Sequence, residues 1–396
     1  MRSPSFSRLI ERAGLLALAL MLLGTGPALA RTGDSGPDPG PYAVGCTNIE
    51  VDQSLMAPGR SLGDYLSGLE QDGQTYYLDQ ILAQPAAVFS LEPAVPDDQD
   101  LYGQSAGQTL PLVGFICYPT PEDNPRADYQ FPDTSRAIPH MQQAGEEPLW
   151  ADSQAKYPLL VYSHGHSSHP MSDPQILALT RLASQGYVVL ALFHGDDRFP
   201  DDSPLTGYNQ LPLRPLGLKA ALDKLETDPQ FGSHLDWERV GAIGVSYGGA
   251  TVLAASGARF TDLGGWGLVD PVHDQRIRAA AGVVSFCGLG VVPLFGLDYS
   301  GAGYLEAPQI IVCGDLDPVA PCGLSRSTLQ ASSQRGYLIT VSGQSHLMDT
   351  EALYDANYWS LLFLDAYVKE DDQARQALED LHYVPGGPSD RKEVFN

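Results

Sequence analysis

The chain of 396 residues is 43% hydrophobic and carries 41 Gly and 31 Pro. That is enough apolar material for a packed core, and it excludes a disordered chain. Lys plus Arg number 23 against 48 Asp plus Glu, a formal charge of −25 that repels phosphate backbones and anionic headgroups and argues against a nucleic-acid partner.

The first thirty residues pose a separate problem. Arg2, Arg8 and Arg12 precede an apolar run over 13–24, Gly26-Pro27 breaks it, and Ala28-Leu29-Ala30 supplies the small-x-small pattern of a cleavage site. The run is shorter than the ~20 residues a spanning helix needs. A signal peptide cut after Ala30 is therefore expected, a retained anchor being the alternative. Its loss removes three Arg and Glu11 and leaves a net charge of −27. No later stretch is apolar enough to span a bilayer, so the expectation is an exported protein, secreted or periplasmic, with no transmembrane segment. Cys46, Cys117, Cys287, Cys313 and Cys322 all lie beyond the cleavage site. Export permits disulfides, at least one thiol must stay unpaired, and two pairs among five cysteines allow 15 connectivities. Cys313 and Cys322 flank a short loop and form the expected pair; five small buried apolar residues are the alternative.

Residues 31–41 are mostly turn formers, expected as a flexible leader. The remainder, 42–396, reads as a single domain. Its first part, 42–150, predicts a strand at 48–51, helical pieces at 61–70 and 75–83 and a strand at 110–117, hence an N-terminal strand pair with a long acidic, Pro-rich insertion over 52–108. From Tyr157 the rhythm changes. Apolar runs at 158–163, 187–193, 239–245, 277–286, 308–313 and 337–342 alternate with helical segments at 174–185, 214–227, 247–258 and 323–334, with a last helix near 351–368. Continuous apolar strands between helices predict an α/β fold with a mostly parallel sheet covered by helices on both faces. Ligand sites in such sheets lie beyond the carboxyl ends of the strands.

Gly-x-Ser-x-Gly occurs twice, around Ser105 and around Ser246. Roughly 0.3 such motifs arise by chance at this composition, so context must decide. Ser105 stands in a Gly/Ser-rich loop with neither a strand before it nor a helix after it. Ser246 follows the strand RVGAIGV and opens the helix-compatible run YGGATVLAASGA; a strand-to-helix turn that tight pushes a hydroxyl out over the sheet edge. Ser246 is the expected nucleophile. A serine needs a base and an acid that orients the base. The strand PQIIVC runs into Gly314-Asp315-Leu316-Asp317, and YLITVS runs into Gly343-Gln344-Ser345-His346. Asp317 is expected as the acid, because the loop must clear the strand before turning to the base; Asp315 is expected to brace the turn. His346 is the expected base, and the order Ser246, Asp317, His346 is that of the α/β-hydrolase fold.

Two backbone N–H groups should hold the developing oxyanion. Tyr247, directly after the nucleophile, offers one. The other is assigned to His166 in Ser163-His164-Gly165-His166-Ser167-Ser168-His169. Three histidines in six residues could instead bind a metal, but no carboxylate or Cys stands among them, so no metal is expected. The role of His194-Gly195-Asp196-Asp197, which ends the next strand, stays open. Trp266, Tyr299 and Tyr304 lie in loops that could line the site, and those loops are too short to hide a large lid.

The stretches YPLLVYSHGHSS, LASQGYVVLALFHGDDR, DWERVGAIGVSYGGAT, DQRIRAAAGVVSF, IIVCGDLDPVAP and SGQSHL resemble the dienelactone-hydrolase-related branch of the α/β-hydrolases. That branch includes platelet-activating-factor acetylhydrolases and cutinase-like polyester hydrolases, and the resemblance covers about 157–368. It implies an α/β-hydrolase fold and a serine esterase with Ser246, Asp317 and His346 as triad. By the same pattern His166 and Tyr247 are the oxyanion donors, Phe286 walls the acyl pocket, and no cofactor is needed. The expected substrate is a carboxylic ester (short-chain, lipid or polyester), with a phospholipid acyl- or acetylhydrolase as the nearest rival and a non-catalytic binding protein as the rival of another class. Two features depart from the branch: Val245 stands where the acetylhydrolases have His before the nucleophile, and the insertion over 52–108 has no counterpart.

Overall fold

A computed structural model describes residues 35–71, 74–75, 77–199, 210–290, 292–384 and 388–396; the expected signal segment lies outside them. The spine is a ten-stranded sheet. Its strands are β1 (Ala43–Cys46), β2 (Phe89–Leu91), β3 (Leu112–Thr120), β4 (Tyr157–Ser163), β5 (Val188–Phe193), β6 (Leu235–Val245), β7 (Ile277–Val283), β8 (Gln309–Gly314), β9 (Gly336–Val341) and β10 (Asp390–Phe395). The order is β1-β3-β5-β4-β6-β7-β8-β9-β10, with β2 also paired to β3. From β5 to β9 all neighbours run parallel. Antiparallel strands finish both edges, β1, β2 and β3 at one and β10 at the other.

The helices are α1 (Leu62–Ser67), α2 (Asp173–Ser184), α3 (Gln210–Thr227), α4 (Tyr247–Ala255), α5 (Cys322–Ala331), α6 (Thr350–Tyr367) and α7 (Asp372–Asp380), with shorter turns between them. Successive strand residues face opposite sides. On β4, Leu160 and Tyr162 enter one core with Ile176 and Leu179 of α2 and Trp359 and Phe363 of α6. Leu159 and Val161 enter the other, with Leu218 and Leu222 of α3 and Val252 and Leu253 of α4. Every residue of β4 is buried for this reason, and the expected α/β sheet with helices on both faces is observed.

Two expectations need amendment. The strand expected at 48–51 is replaced by β1, which ends two residues before the expected start. The chain leaves the sheet at Thr47, whose Oγ1 accepts from Ile116 N–H at 3.0 Å, and Val51 forms only an isolated bridge to Leu82. Within the expected leader, residues 35–41 run against α2: Gly40 N–H donates to Ser184 Oγ at 2.9 Å and Gln185 Nε2 to Asp38 O at 2.9 Å. Among the described residues no helix is long and apolar enough to cross a membrane.

Candidate active site

Strand β6 ends at Val245 and α4 begins at Tyr247, so Ser246 alone makes the turn between them. Its φ of 55° and ψ of −115° are unfavourable for a residue with a Cβ. The turn is held from three sides. Ser246 N–H donates to Val283 O at 2.8 Å, while Ser246 O accepts from Phe286 N–H and Gly249 N–H, both at 2.9 Å. The glycines of the motif serve closeness here. A Cβ on Gly244 would stand 2.1 Å from Gly248 O, and one on Gly248 would stand 1.9 Å from Ser163 O. Two further residues with side chains and positive φ, Ser167 (47°) and Val284 (44°), belong to the loops after β4 and β7 that border this turn. Strain of this kind collects at functional sites.

His346 follows β9 and reaches both partners expected for it. Its Nδ1 lies 2.7 Å from Asp317 Oδ2 and its Nε2 lies 2.9 Å from Ser246 Oγ. With Nδ1–H donating to the carboxylate, Nε2 is left to accept from the serine hydroxyl. The Asp317 side chain is fully buried, and its other oxygen, Oδ1, accepts from Val319 N–H at 2.8 Å and Ala320 N–H at 2.9 Å. Asp315, by contrast, is exposed and accepts from Gly343 N–H at 2.7 Å, tying the loop after β8 to the loop after β9. Cys313 and Cys322 are disulfide-bonded across the Asp317 loop, Cys46 and Cys117 form a second bridge, and Cys287 is a buried thiol.

The loop after β4 lies beside Ser246: a Cβ on Gly165 would come within 3.7 Å of Ser246 Cβ. The His166 ring packs at 5.2 Å from the Tyr247 ring, and the Phe286 ring at 5.9 Å from it. Tyr247, Phe286 and His166 are thus grouped around Ser246. Tyr304 is not. Tyr304 O abuts Gly257, past the carboxyl end of α4 and about 13 Å along the helix from the nucleophile. Trp266 sits exposed in a turn closed by its own N–H to Asp262 O at 2.7 Å.

Beneath the loop is a buried polar cluster that the sequence reading did not assemble. Arg214, on α3, forks onto Asp196: Nε donates to Oδ1 at 3.0 Å and Nη2 to Oδ2, both side chains being 1% exposed. The same guanidinium donates through Nη1 to His164 O at 2.6 Å and through Nη2 to Gly165 O at 3.0 Å. His164 Nε2 accepts from His194 N–H at 3.1 Å, which places its proton on Nδ1, 2.7 Å from Gly165 O. Burial, then the Arg214 charge, push the His164 pKa down to about 3, and the same two causes hold His194 well below its ordinary range. Burial alone would raise the Asp196 pKa, but the charge and hydrogen bonds of Arg214 outweigh it and keep the carboxylate ionised. Ser167 N–H donates to Asp196 Oδ2 at 3.1 Å and Ser167 Oγ to Asp197 Oδ1 at 2.6 Å, so His194-Gly195-Asp196-Asp197 acquires a place as the floor of this loop. The available signal was a lone arginine in the otherwise apolar run LPLRPLGL, a charge that demands a buried partner.

The three clustered histidines are engaged locally. His169 Nδ1 accepts from Met171 N–H at 3.2 Å, and burial pushes its pKa down to about 4. Among the described residues no group of three His, Cys, Asp or Glu side chains could hold a metal ion. Compared with known families and with curated proteins, the chain matches no family model and no curated sequence.

Proposed function

We propose that the chain is an exported serine esterase with an α/β-hydrolase fold. The observation that carries this reading is the continuous relay from Asp317 through His346 to Ser246, at 2.7 and 2.9 Å, ending on a strained strand-to-helix turn. The placement of nucleophile after β6, acid after β8 and base after β9 supports the fold assignment. Two disulfides support an oxidising destination, periplasmic or extracellular.

In the proposed reaction His346 Nε2 takes the Ser246 proton as Oγ attacks the ester carbonyl. Asp317, fully buried and anchored by two amides, keeps the imidazole in its Nδ1–H form and stabilises the imidazolium. The N–H groups of Tyr247 and His166 receive the oxyanion, and losing a donor of this kind costs about 10²–10³ in rate. His346 then protonates the leaving alcohol, and water hydrolyses the acyl-enzyme by the same relay. No cofactor enters these steps. The substrate class is a carboxylic ester with a short acyl chain or a polyester-like backbone.

The test is hydrolysis of p-nitrophenyl esters from acetate to long acyl chains, with a phospholipid carrying an sn-2 acetyl group alongside. Wild type should hydrolyse short esters, and Ser246→Ala should lose at least about 10³-fold in kcat with an unchanged melting temperature. Preference for the phospholipid would move the assignment to an acetylhydrolase. No hydrolysis and no labelling by a fluorophosphonate probe would leave a binding protein on a hydrolase scaffold.

A further inference from the structure

We propose that Arg214, locked to Asp196, is a positioning residue that sets the direction of the His166 oxyanion donor. The proposal rests on the serine-hydrolase reading above. A trans peptide is planar, with its N–H opposite its C=O. The carbonyls of His164 and Gly165 belong to the peptide units that carry the N–H groups of Gly165 and His166. Arg214 donates to both carbonyls, at 2.6 and 3.0 Å, so those two N–H groups are turned away from it. The guanidinium is a rigid planar fork, two of its remaining N–H groups are committed to Asp196 and the third reaches Ser163 Oγ at 3.4 Å, and the Arg214 and Asp196 side chains are both 1% exposed.

The neighbouring groups act in the same sense. His164 Nδ1–H gives Gly165 O a second donor at 2.7 Å, and Asp196 Oδ2 accepts from Ser167 N–H at 3.1 Å. The three consecutive peptide units from 164 to 167 are thereby pinned from below, while Gly165 abuts Ser246. Its backbone is not a relaxed one: Ser167 holds a φ of 47°. A loop in such a conformation needs an external clamp to keep one geometry. Preorganised donors contribute to rate only when their direction is fixed before charge develops. Arg214 touches neither substrate nor reacting atoms; it acts through the peptide of residue 166, and for that reason it should govern kcat and leave ground-state binding alone.

The experiment uses the full exported chain and compares wild type, Ser246→Ala, Arg214→Lys and the double variant Arg214→Met with Asp196→Leu. Exchange of a buried ion pair for apolar residues of similar volume commonly preserves folding, so the double variant separates clamping from stability. Melting curves, kcat and KM on the best p-nitrophenyl ester, and inhibition by an alkylboronic acid, which mimics the oxyanion, are measured together. The expected result is a cooperatively folded double variant with kcat lowered about 10–10³-fold, KM within about threefold, and boronate affinity weakened in step with kcat/KM. Arg214→Lys, able to serve only one carbonyl at a time, should fall between, and it decides by the same criteria if the double variant does not fold. A folded variant that keeps kcat and boronate affinity within about threefold of wild type overturns the proposal. So does equal loss in kcat and gain in KM, the signature of a damaged pocket. If wild type neither hydrolyses esters nor labels with a fluorophosphonate, the hydrolase reading falls and takes this one with it; if wild type is active and Ser246→Ala is dead, only the role of Arg214 is at stake.

Discussion

Asp315 and Asp317 stand two residues apart after the same strand, yet their surroundings give them different work. Asp317 is buried with both oxygens engaged: Oδ2 with His346 and Oδ1 with two backbone amides. Asp315 is exposed and holds Gly343 N–H. Asp317→Asn should lower kcat by about 10³–10⁴-fold, because the amide cannot hold the imidazole in the required tautomer. Asp315→Asn keeps an acceptor for Gly343 and should stay within about threefold of wild type. Steady-state kinetics of the pair checks both, and equal losses would mean the acid has been misassigned. The residue scale also shows what the nucleophile motif is for. Ser246 carries the strained φ, whereas Gly244 and Gly248 let strand, helix and the β4 loop come within contacts that any Cβ would block.

At the scale of elements, the two disulfides separate stability from function. Cys46–Cys117 ties β1 to β3 over 71 residues, and Cys313–Cys322 ties the end of β8 to the start of α5 over nine. Chain entropy assigns about 4.4 kcal/mol to the longer loop and about 2.6 kcal/mol to the shorter. Replacing Cys46 and Cys117 by Ala should therefore lower Tm the more while leaving kcat near wild type. Replacing Cys313 and Cys322 should lower Tm less and kcat by about 3–30-fold, since the shorter loop carries Asp317. Calorimetry and kinetics on the two double variants would show equal losses if the bridges were interchangeable. The same scale explains what could be read from the sequence. The parallel strands were legible because burial on both faces leaves unbroken apolar runs such as PLLVYS and PQIIVC. Ser246, Asp317 and His346 were legible because each stands in the turn or loop that follows such a strand. Strand β10, DRKEVF, was not: at the edge it needs only an alternating, largely polar pattern, and its pairing with β9 supplies the rest. Arg214 was missed because its partners come from the loops after β4 and β5, a long-range contact no local pattern encodes. The insertion was opaque for a similar reason. Its Tyr77 hydroxyl donates to Phe193 O, and the Arg198 guanidinium lies 3.7 Å over the Tyr77 ring, so the segment backs the loop that carries Asp196.

For the whole molecule, a net charge of −25 makes every buried carboxylate a question of pH. Asp355, in the second turn of α6, is fully buried, and among the described residues neither of its oxygens has a hydrogen-bond partner. Burial first, then the charges of Asp390, Glu351 and Asp349, push its pKa up to about 7. Asp390 itself accepts from Trp359 Nε1–H at 2.5 Å, so it is held in place beside Asp355. In the unfolded chain Asp355 loses its proton near pH 4. Between about pH 4 and 7 the folded state therefore retains a proton the unfolded state has released, and stability falls as pH rises through this window. Above it, the folded protein carries a buried, unpaired anion. Asp355→Asn removes the titration at nearly constant shape. The variant should melt close to wild type at pH 5 and about 2–6 °C higher at pH 8, and its Tm should change less across the interval. Calorimetry of both proteins from pH 4 to pH 9 reads this directly. Parallel curves would mean that the acidic cluster relaxes on ionisation and that Asp355 reaches water or a cation in solution.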